Sequence, residues 1–265
     1  MIIDSHAHVV LPIENHIKMM DKSGIDKTVL FSTLVHPEKS NNYKEFITEM
    51  DKLNQLLNNE VNPIEVRLNA LEELSTSIKQ HPDRFVGFGS VPLSYSPNDP
   101  KLNEWIEKLI KQYKMKGLGE FTLGTGQIQL LEPIFKAASD YDSLPIWVHT
   151  FHPLSLKDIQ ELFLLTQKYE NVPVIYGHMG GIHWLQTIEL IKRAENAYLD
   201  ISAFYTTYAL SLAIKEIPER TLFSSDFPYG DPFLNIQAIE RHTTSQEIAN
   251  RVLGGNIQTL LKLQI

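Results

Sequence analysis

The feature of the sequence that most clearly suggests chemistry is a pair of histidines, His6 and His8, in the segment DSHAH at residues 4–8. Side chains alternate along a β-strand, so the two imidazoles would share one face, with their Cα atoms roughly 6–7 Å apart. Two imidazoles at that spacing can bind one cation, at metal–nitrogen distances of about 2.0–2.1 Å for zinc. Because short motifs also occur in ordinary loops, further ligands are needed to complete the prediction.

Three later residues could supply those ligands. His149, His178 and Asp226 each stand at the end of an apolar run. Burying an imidazole or a carboxylate costs several kcal/mol unless the group has a partner, and a shared cation would partner all of them. The chain has no cysteine, which excludes thiolate catalysis, iron–sulfur clusters and Cys-bound zinc. Any metal must therefore be held by His, Asp or Glu.

Apolar runs alternate with segments of helical periodicity along the chain, and they predict where these residues lie. Nearly continuous apolar runs suit parallel strands that are buried on both faces. Eight such strands alternating with helices in 265 residues predict an α/β fold, a single (β/α)8 TIM barrel over residues 1–265. The predicted strands are Ile2–His6, Lys27–Ser32, Phe85–Val91, Gly117–Thr122, Pro145–Thr150, Val172–His178, Ala197–Ser202 and Thr221–Asp226.

Two further expectations follow from this pattern. A doubly wound open sheet is the alternative fold, but the glycine-rich turn that would favour it does not follow the first strand. The stretch Asn41–Gln80 is long for one crossover and predicts a helical insertion after strand 2, with two helices broken near Asn62-Pro63 above the barrel mouth. Barrel active sites lie at the carboxyl ends of the strands, where the histidines and Asp226 are expected.

The ordered motifs resemble the amidohydrolase superfamily, and more closely its amidohydrolase-2 branch, which includes the aminocarboxymuconate-semialdehyde decarboxylase-like enzymes. The matching segments are DSHAH (4–8), HPDRFVGFGSVPL (81–93), PIWVHT (145–150), VIYGHMGG (174–181), YLDIS (198–202), LFSSDFPY (222–229) and LGGNIQTLL (253–261). The resemblance implies that His6, His8, His149 and Asp226 hold a divalent metal. It also implies that His178 acts beside the metal as acid or base, or binds a second metal in a binuclear site.

Glu120 ends the predicted fourth strand, where binuclear members of the wider superfamily carry a bridging group. It would either bind a second metal, or orient a ligand, or contact substrate. We expect Zn2+. Mn2+ is the alternative, because sites built from His and Asp accept several divalent metals. One metal per chain is expected, or two if Glu120 and His178 both bind. The candidate substrate contacts are His152, Tyr205 and Phe227.

The predicted function is metal-dependent hydrolysis of a C–O or C–N bond in a small carbonyl compound such as a lactone, ester or amide. Metal-activated water would attack, and Asp226 and His178 would manage the protons. The alternative is non-oxidative decarboxylation of a small aromatic or enoic acid, which a cationic anchor for the carboxylate would favour. Of six arginines only Arg67 lies in the insertion, which favours hydrolysis. A non-catalytic metal- or ligand-binding barrel is the third reading, since one fold hosts many functions.

Composition limits the partners of this protein. The 24 basic and 32 acidic residues give a net charge of −8, which disfavours nucleic acid and anionic membranes as partners. The amino-terminal segment has no signal-peptide pattern and no apolar run has the length of a membrane span, so we expect a cytoplasmic protein. The expected partner is a small-molecule substrate, and a homo-oligomer is allowed although no particular residue supports it.

Overall fold

A computed structural model of the chain describes residues 1–57, 64–96 and 99–264. Eight strands form one sheet in which each strand pairs in parallel with the next in sequence order. The predicted (β/α)8 TIM barrel is therefore confirmed. The strands are β1 (Ile3–His8), β2 (Lys27–Phe31), β3 (Phe85–Gly89), β4 (Gly117–Phe121), β5 (Ile146–His149), β6 (Val174–Gly177), β7 (Ala197–Asp200) and β8 (Thr221–Leu222).

The barrel closes between β1 and the segment that follows β8. The backbone N–H of Ser5 donates to the carbonyl of Phe223 at 2.9 Å, and that of His8 donates to Phe227 at 2.8 Å. The backbone N–H of Asp226 in turn donates to the carbonyl of His6 at 2.8 Å. The last strand is shorter than predicted, because its pairing with β7 ends at Leu222 and the next backbone N–H, that of Phe223, donates to the carbonyl of Val252 instead. The closure nevertheless places Asp226 beside the histidine pair.

Helices follow the strands, and the insertion after β2 holds two of them, as predicted. The predicted break near Asn62-Pro63 lies outside the described residues. None of the helices in the described ranges is long and apolar enough to cross a membrane. The helices are α1 (Ile13–Ser23), α2 (Tyr43–Leu57), α3 (Ile64–Gln80), α4 (Pro100–Glu107), α5 (Glu132–Asp140), α6 (Leu156–Lys168), α7 (Trp184–Lys192), α8 (Thr207–Glu216), α9 (Pro232–His242), α10 (Gln246–Asn250) and α11 (Asn256–Leu260).

A compact apolar layer inside the barrel supports the site. Trp147 of β5 is fully buried, together with Phe31, and its ring centroid lies 4.2 Å from that of His6. The neighbouring position on β6 is Gly177, where an added Cβ would lie 1.8 Å from the Trp147 ring. Because no side chain fits there, glycine at this position lets the indole pack beneath the imidazoles.

Candidate metal centre

The histidine pair of β1 faces two carboxylates. His6 Nε2 lies 3.7 Å from Asp226 Oδ1, and His8 Nε2 lies 3.2 Å from the same oxygen. Oε2 of Glu120, on β4, lies 3.8 Å from His6 Nε2 and 3.6 Å from His8 Nε2. Ligand atoms of His6, His8 and Asp226 all lie within 4.8 Å of one another. Alternation along β1 thus brings both imidazoles to one point, as the spacing predicts.

Glu120 connects this group to a second one. Its Oε1 lies 2.9 Å from His149 Nδ1 and 3.5 Å from His178 Nε2. Ligand atoms of Glu120, His149 and His178 also cluster within 4.8 Å. The other nitrogen of His149 bonds the carbonyl of His152 at 2.9 Å. The two groups share the Glu120 carboxylate, which is the arrangement required of a bridging residue.

Asp200, at the end of β7, supports two of the histidines from below. Its Oδ2 lies 3.4 Å from His6 Nδ1, and its Oδ1 accepts hydrogen bonds from the backbone and the hydroxyl of Ser202. The Ser202 hydroxyl also bonds His178 Nδ1 at 2.8 Å. All four side chains are buried. Contacts of this kind fix the orientation and tautomer of an imidazole that binds or works beside a metal.

Two of the predicted site residues have unusual backbone conformations. His178 has φ 59° and Asp226 has φ 57°, both in the left-handed region that non-glycine residues seldom adopt. Such conformations cost of order 1–3 kcal/mol and concentrate at functional sites. Both residues immediately follow a strand or its closing segment, and the sharp turn lets each side chain face the centre of the barrel mouth.

The charges in this site are strongly coupled. Burial alone would raise the pKa of Glu120, but the surrounding imidazoles of His149, His178 and His6 hold this pKa well below its usual range. Burial would likewise raise the pKa of Asp226, and the charge of His6 leads the effects that lower it. Burial lowers the pKa of His6, yet Asp226, Asp200 and Glu120 together raise it well above its usual range. The buried carboxylate of Asp200 and the nearly buried carboxylates of Glu120 and Asp226 therefore require positive charge nearby.

These residues suit a divalent metal. Among the described side chains, His6 Nε2 and Asp226 Oδ1, which lie 3.7 Å apart, are buried polar atoms without a hydrogen-bond partner. Unpaired buried polar atoms are costly, so a cation would satisfy donor atoms that the protein leaves unpaired. Imidazole nitrogen and carboxylate oxygen suit zinc or manganese better than metals that require thiolates. His6, His8 and Asp226 would hold such an ion with Glu120 beside them, whereas His149, predicted as a fourth ligand, groups with Glu120 and His178 instead.

A cavity of about 400 Å³ lies above the metal donors. Its lining includes His8, Glu120, His149, His178 and Asp226, apolar residues such as Leu34, Val35, Leu53, Ala70 and Phe151, and polar groups from Arg67, His152 and Tyr229. The volume suits one small ring with a few substituents.

Of the three predicted substrate contacts, the structure places only His152 on the cavity wall. Tyr205 is 60% exposed, because it points outward from the loop before α8. Phe227 packs against His16, with ring centroids 5.1 Å apart, and so turns away from the cavity. Tyr229, two residues further on, takes the wall position and packs edge-on against His8.

Comparison with known proteins assigns the family. A family model described as amidohydrolase, Amidohydro_2, matches residues 3–263. The chain belongs to the amidohydrolase family. This match confirms the resemblance inferred from the ordered motifs. A search of curated proteins returns no match for this chain.

Solved structures similar to this amidohydrolase cover nearly the whole chain at low sequence identity. 2,6-Dihydroxybenzoate decarboxylase from Rhizobium is 16% identical with a TM-score of 0.69, over 98% of each chain. A dihydroxybenzoic acid decarboxylase from Polaromonas sp. JS666, solved with manganese and 2-nitroresorcinol, is 18% identical with a TM-score of 0.66, over 99% of this chain and 97% of that one. 4-Oxalomesaconate hydratase from Rhodopseudomonas palustris is 17% identical with a TM-score of 0.66, over 99% and 96%.

Two residues have a larger place in the site than the sequence indicated. Asp200, which the sequence analysis does not include among the candidate site residues, contacts His6 and Ser202 directly. Its position at the end of a predicted strand was the signal. Arg67 was expected only in the insertion, whereas it lines the cavity above the metal donors. Its distance in sequence from every motif hid this position.

Proposed function

We propose that this amidohydrolase is a metal-dependent decarboxylase of a small aromatic or enoic acid. The observation that carries the proposal is that one cavity combines the metal donors, apolar walls and Arg67. A hydrophobic wall accommodates a ring or an unsaturated chain, and a few polar groups fix its orientation. The decarboxylases among the similar structures agree with this reading, and it replaces hydrolysis as the preferred function.

Arg67 provides the cationic anchor that decarboxylation favours. Burial lowers the pKa of Arg67 to about 10, so the guanidinium stays positively charged at neutral pH. A planar guanidinium matches a carboxylate with two parallel hydrogen bonds, and such pairs are stronger where water is excluded. We therefore assign Arg67 to capture and orientation of an acid group of the substrate.

The remaining residues supply the proton that replaces the carboxyl group. The C–C bond to the carboxyl group breaks, carbon dioxide leaves, and one proton joins the ring or alkene carbon. Asp226 is held ionised by its imidazole neighbours, so we assign the donor role to Nε2 of His178, which faces the cavity. A bound divalent metal would supply Lewis-acid attraction for substrate oxygens next to the reacting carbon.

Detection of carbon dioxide tests the proposal. The purified protein, loaded with Zn2+ or Mn2+, is incubated in gas-tight vials with a panel of hydroxybenzoates and muconates. Release of one carbon dioxide per substrate consumed supports decarboxylation. Hydrolysis of lactones, esters or amides without carbon dioxide release from any acid would reject it.

A matched pair of arginine variants tests the anchor. We expect Arg67→Gln to raise KM by about tenfold or more, as the loss of a charge-assisted pair of about 1.5–3 kcal/mol requires. The control is Arg241→Gln in the exposed last turn of α9, which should leave KM unchanged. Equal KM values for the two variants would remove Arg67 from the proposal.

Hydrolysis is the second candidate, and the position of Glu120 favours it. Glu120 lies between two groups of ligands, so the site has donors for two metals rather than one. Two metals 3.5–4 Å apart are typical of hydrolytic sites. Elemental analysis separates the candidates: two metals per chain, one of them lost in Glu120→Gln, would favour hydrolysis, whereas one metal retained in that variant would favour decarboxylation.

A further inference from the structure

Large apolar side chains are exposed along one side of the barrel mouth. Among the described residues, seven of the thirteen exposed large apolar side chains lie at the starts of three helices or in the loops before them. We call this group the α7–α9 rim. It consists of Ile182, Leu185, Tyr205, Tyr208, Tyr229, Phe233 and Leu234, which are between 38% and 81% exposed.

These residues belong to one surface because of the topology. Helix α7 packs against α8, and α8 packs against α9. In a TIM barrel each helix after a strand begins at the carboxyl end of the barrel. The first turns of α7, α8 and α9 therefore lie side by side on the face that carries the metal donors.

The rim is almost free of charge, in contrast to the other ends of the same helices. Segments 182–186, 204–208 and 227–234 contain one formally charged residue, Asp231, and its carboxylate accepts hydrogen bonds from Phe233 and Leu234 at the start of α9. At the far ends, by contrast, Lys192 and Glu216 form an ion pair at 2.8 Å. Depletion of charge together with enrichment in aromatic residues is typical of the centre of a protein interface.

The exposed area also matches a protein interface. Seven residues of this size and exposure present roughly 800 Å² of accessible surface, most of it apolar. The largest apolar patch on an ordinary monomer is about 300–600 Å², whereas a stable complex covers about 800 Å² on each partner. The surface requires a partner that is equally apolar and uncharged.

We propose that the α7–α9 rim is the two-fold interface of a homodimer of this chain. A second copy presents the same apolar, uncharged surface, and a two-fold axis brings like surface against like without opposed charges. Because Tyr229 belongs to both the rim and the cavity wall, the partner subunit would lie beside the cavity. The proposal does not depend on which reaction the site performs.

Size-exclusion chromatography with light scattering, on the full chain at 1–50 µM, tests the interface. We expect the wild type at twice the chain mass. The double variant Tyr208→Glu/Leu234→Glu buries two charges in the interface and should raise the dimer Kd at least about a hundredfold, so that it elutes as a monomer. The control is Leu164→Glu on α6, because Leu164 and Leu234 are both 62% exposed and only Leu234 belongs to the rim.

Several outcomes would overturn the proposal. A wild type that is monomeric at 50 µM would do so, and so would a double variant that stays dimeric while its circular dichroism matches the wild type. The latter result would place the contact elsewhere, for example at the exposed Tyr43 and Phe46 of α2. A monomer that sediments with lipid vesicles would show that the rim binds membranes instead. Equal loss of dimer in the Leu164→Glu control would show a general effect of added charge.

Discussion

Two carboxylates that are both completely buried near His6 behave in opposite ways. Burial raises the pKa of Asp4 to about 7, because its partners are Ser225 and backbone N–H groups. Burial acts in the same direction on Asp200, but His6, His178 and Ser202 outweigh it and lower the pKa. Burial disfavours ionisation in both cases, and the imidazole neighbours decide whether the carboxylate is charged.

This difference separates the scaffold from the site. Asp4 joins β1 to the segment after β8 through Ser225, so it helps to close the barrel. Asp200 adds its charge to that of Glu120 and Asp226 around the histidines. Only a carboxylate of the second kind should therefore control the metal and the reaction.

The largest expected effect comes from Asp226, which the histidines also keep ionised. Asp226→Ala should lose the metal and lower kcat/KM at least about a thousandfold, because Lewis-acid stabilisation is worth several kcal/mol. Elemental analysis and kinetics at saturating metal measure both effects. Asp4→Asn is the control and should retain the metal. Full metal content in Asp226→Ala would show that the histidines and Glu120 suffice.

The second-largest expected effect is on stability, and it concerns Asp4, the carboxylate that helps to close the barrel. Since the folded-state pKa of Asp4 is raised, the folded state binds its proton more tightly than the unfolded state does. This contribution to stability is complete below the unfolded pKa near 4 and is lost as pH rises through about 7. Asn mimics the protonated acid, so Asp4→Asn should become more stable than the wild type by several kcal/mol as pH rises from 4 to 8.

Urea unfolding of metal-free protein across this pH range measures the difference. Metal-free protein is required because a bound cation would itself favour the ionised form of Asp4. A constant difference between Asp4→Asn and the wild type from pH 4 to 8 would contradict the raised pKa. The same series on Asp200→Asn should lack this gain, because Asp200 is stabilised in its charged form.

Asp200→Asn should have a smaller effect, on metal affinity. Loss of the charge that faces His6 Nδ1 should weaken metal binding about 10- to 100-fold, as is common for carboxylates that orient a metal-bound histidine. Competition with a chelating dye measures the affinity. Asp4→Asn should change it less than about threefold at pH 7, and equal losses in both variants would erase the distinction between the two carboxylates.

Much of the fold and the centre of the site follow from local patterns. Eight apolar runs predict eight strands, since a parallel strand buried on both faces must be apolar over its length. The alternation in β1 brings His6 and His8 together, and the strand-end positions of His149 and His178 bring them to the same face. These predictions succeed because each depends on regular backbone geometry.

The rest depends on contacts between distant segments, which no local pattern encodes. Arg67 reaches the cavity only because of how the insertion packs over the barrel mouth. Tyr229 rather than Phe227 faces the cavity, because the chain turns sharply at Asp226 and directs Phe227 toward His16. The role of Asp200 appears only in the folded barrel, where its side chain at the end of β7 contacts the side chain of His6 on β1.

The smallest predicted effect is at Ser202, which links Asp200 to His178. A carboxylate can only accept, so the single Ser202 hydroxyl proton goes to Asp200, and the hydroxyl oxygen must accept from His178 Nδ1–H. The proton that His178 can exchange is therefore on Nε2, which faces Glu120 and the cavity. Ser202→Ala should lower kcat about 3- to 10-fold with little change in KM, since only the orientation of the imidazole is lost. Ser202→Thr keeps the hydroxyl and should restore kcat, whereas equal kcat in the Ala and Thr variants would mean that Asp200 acts through His6 alone.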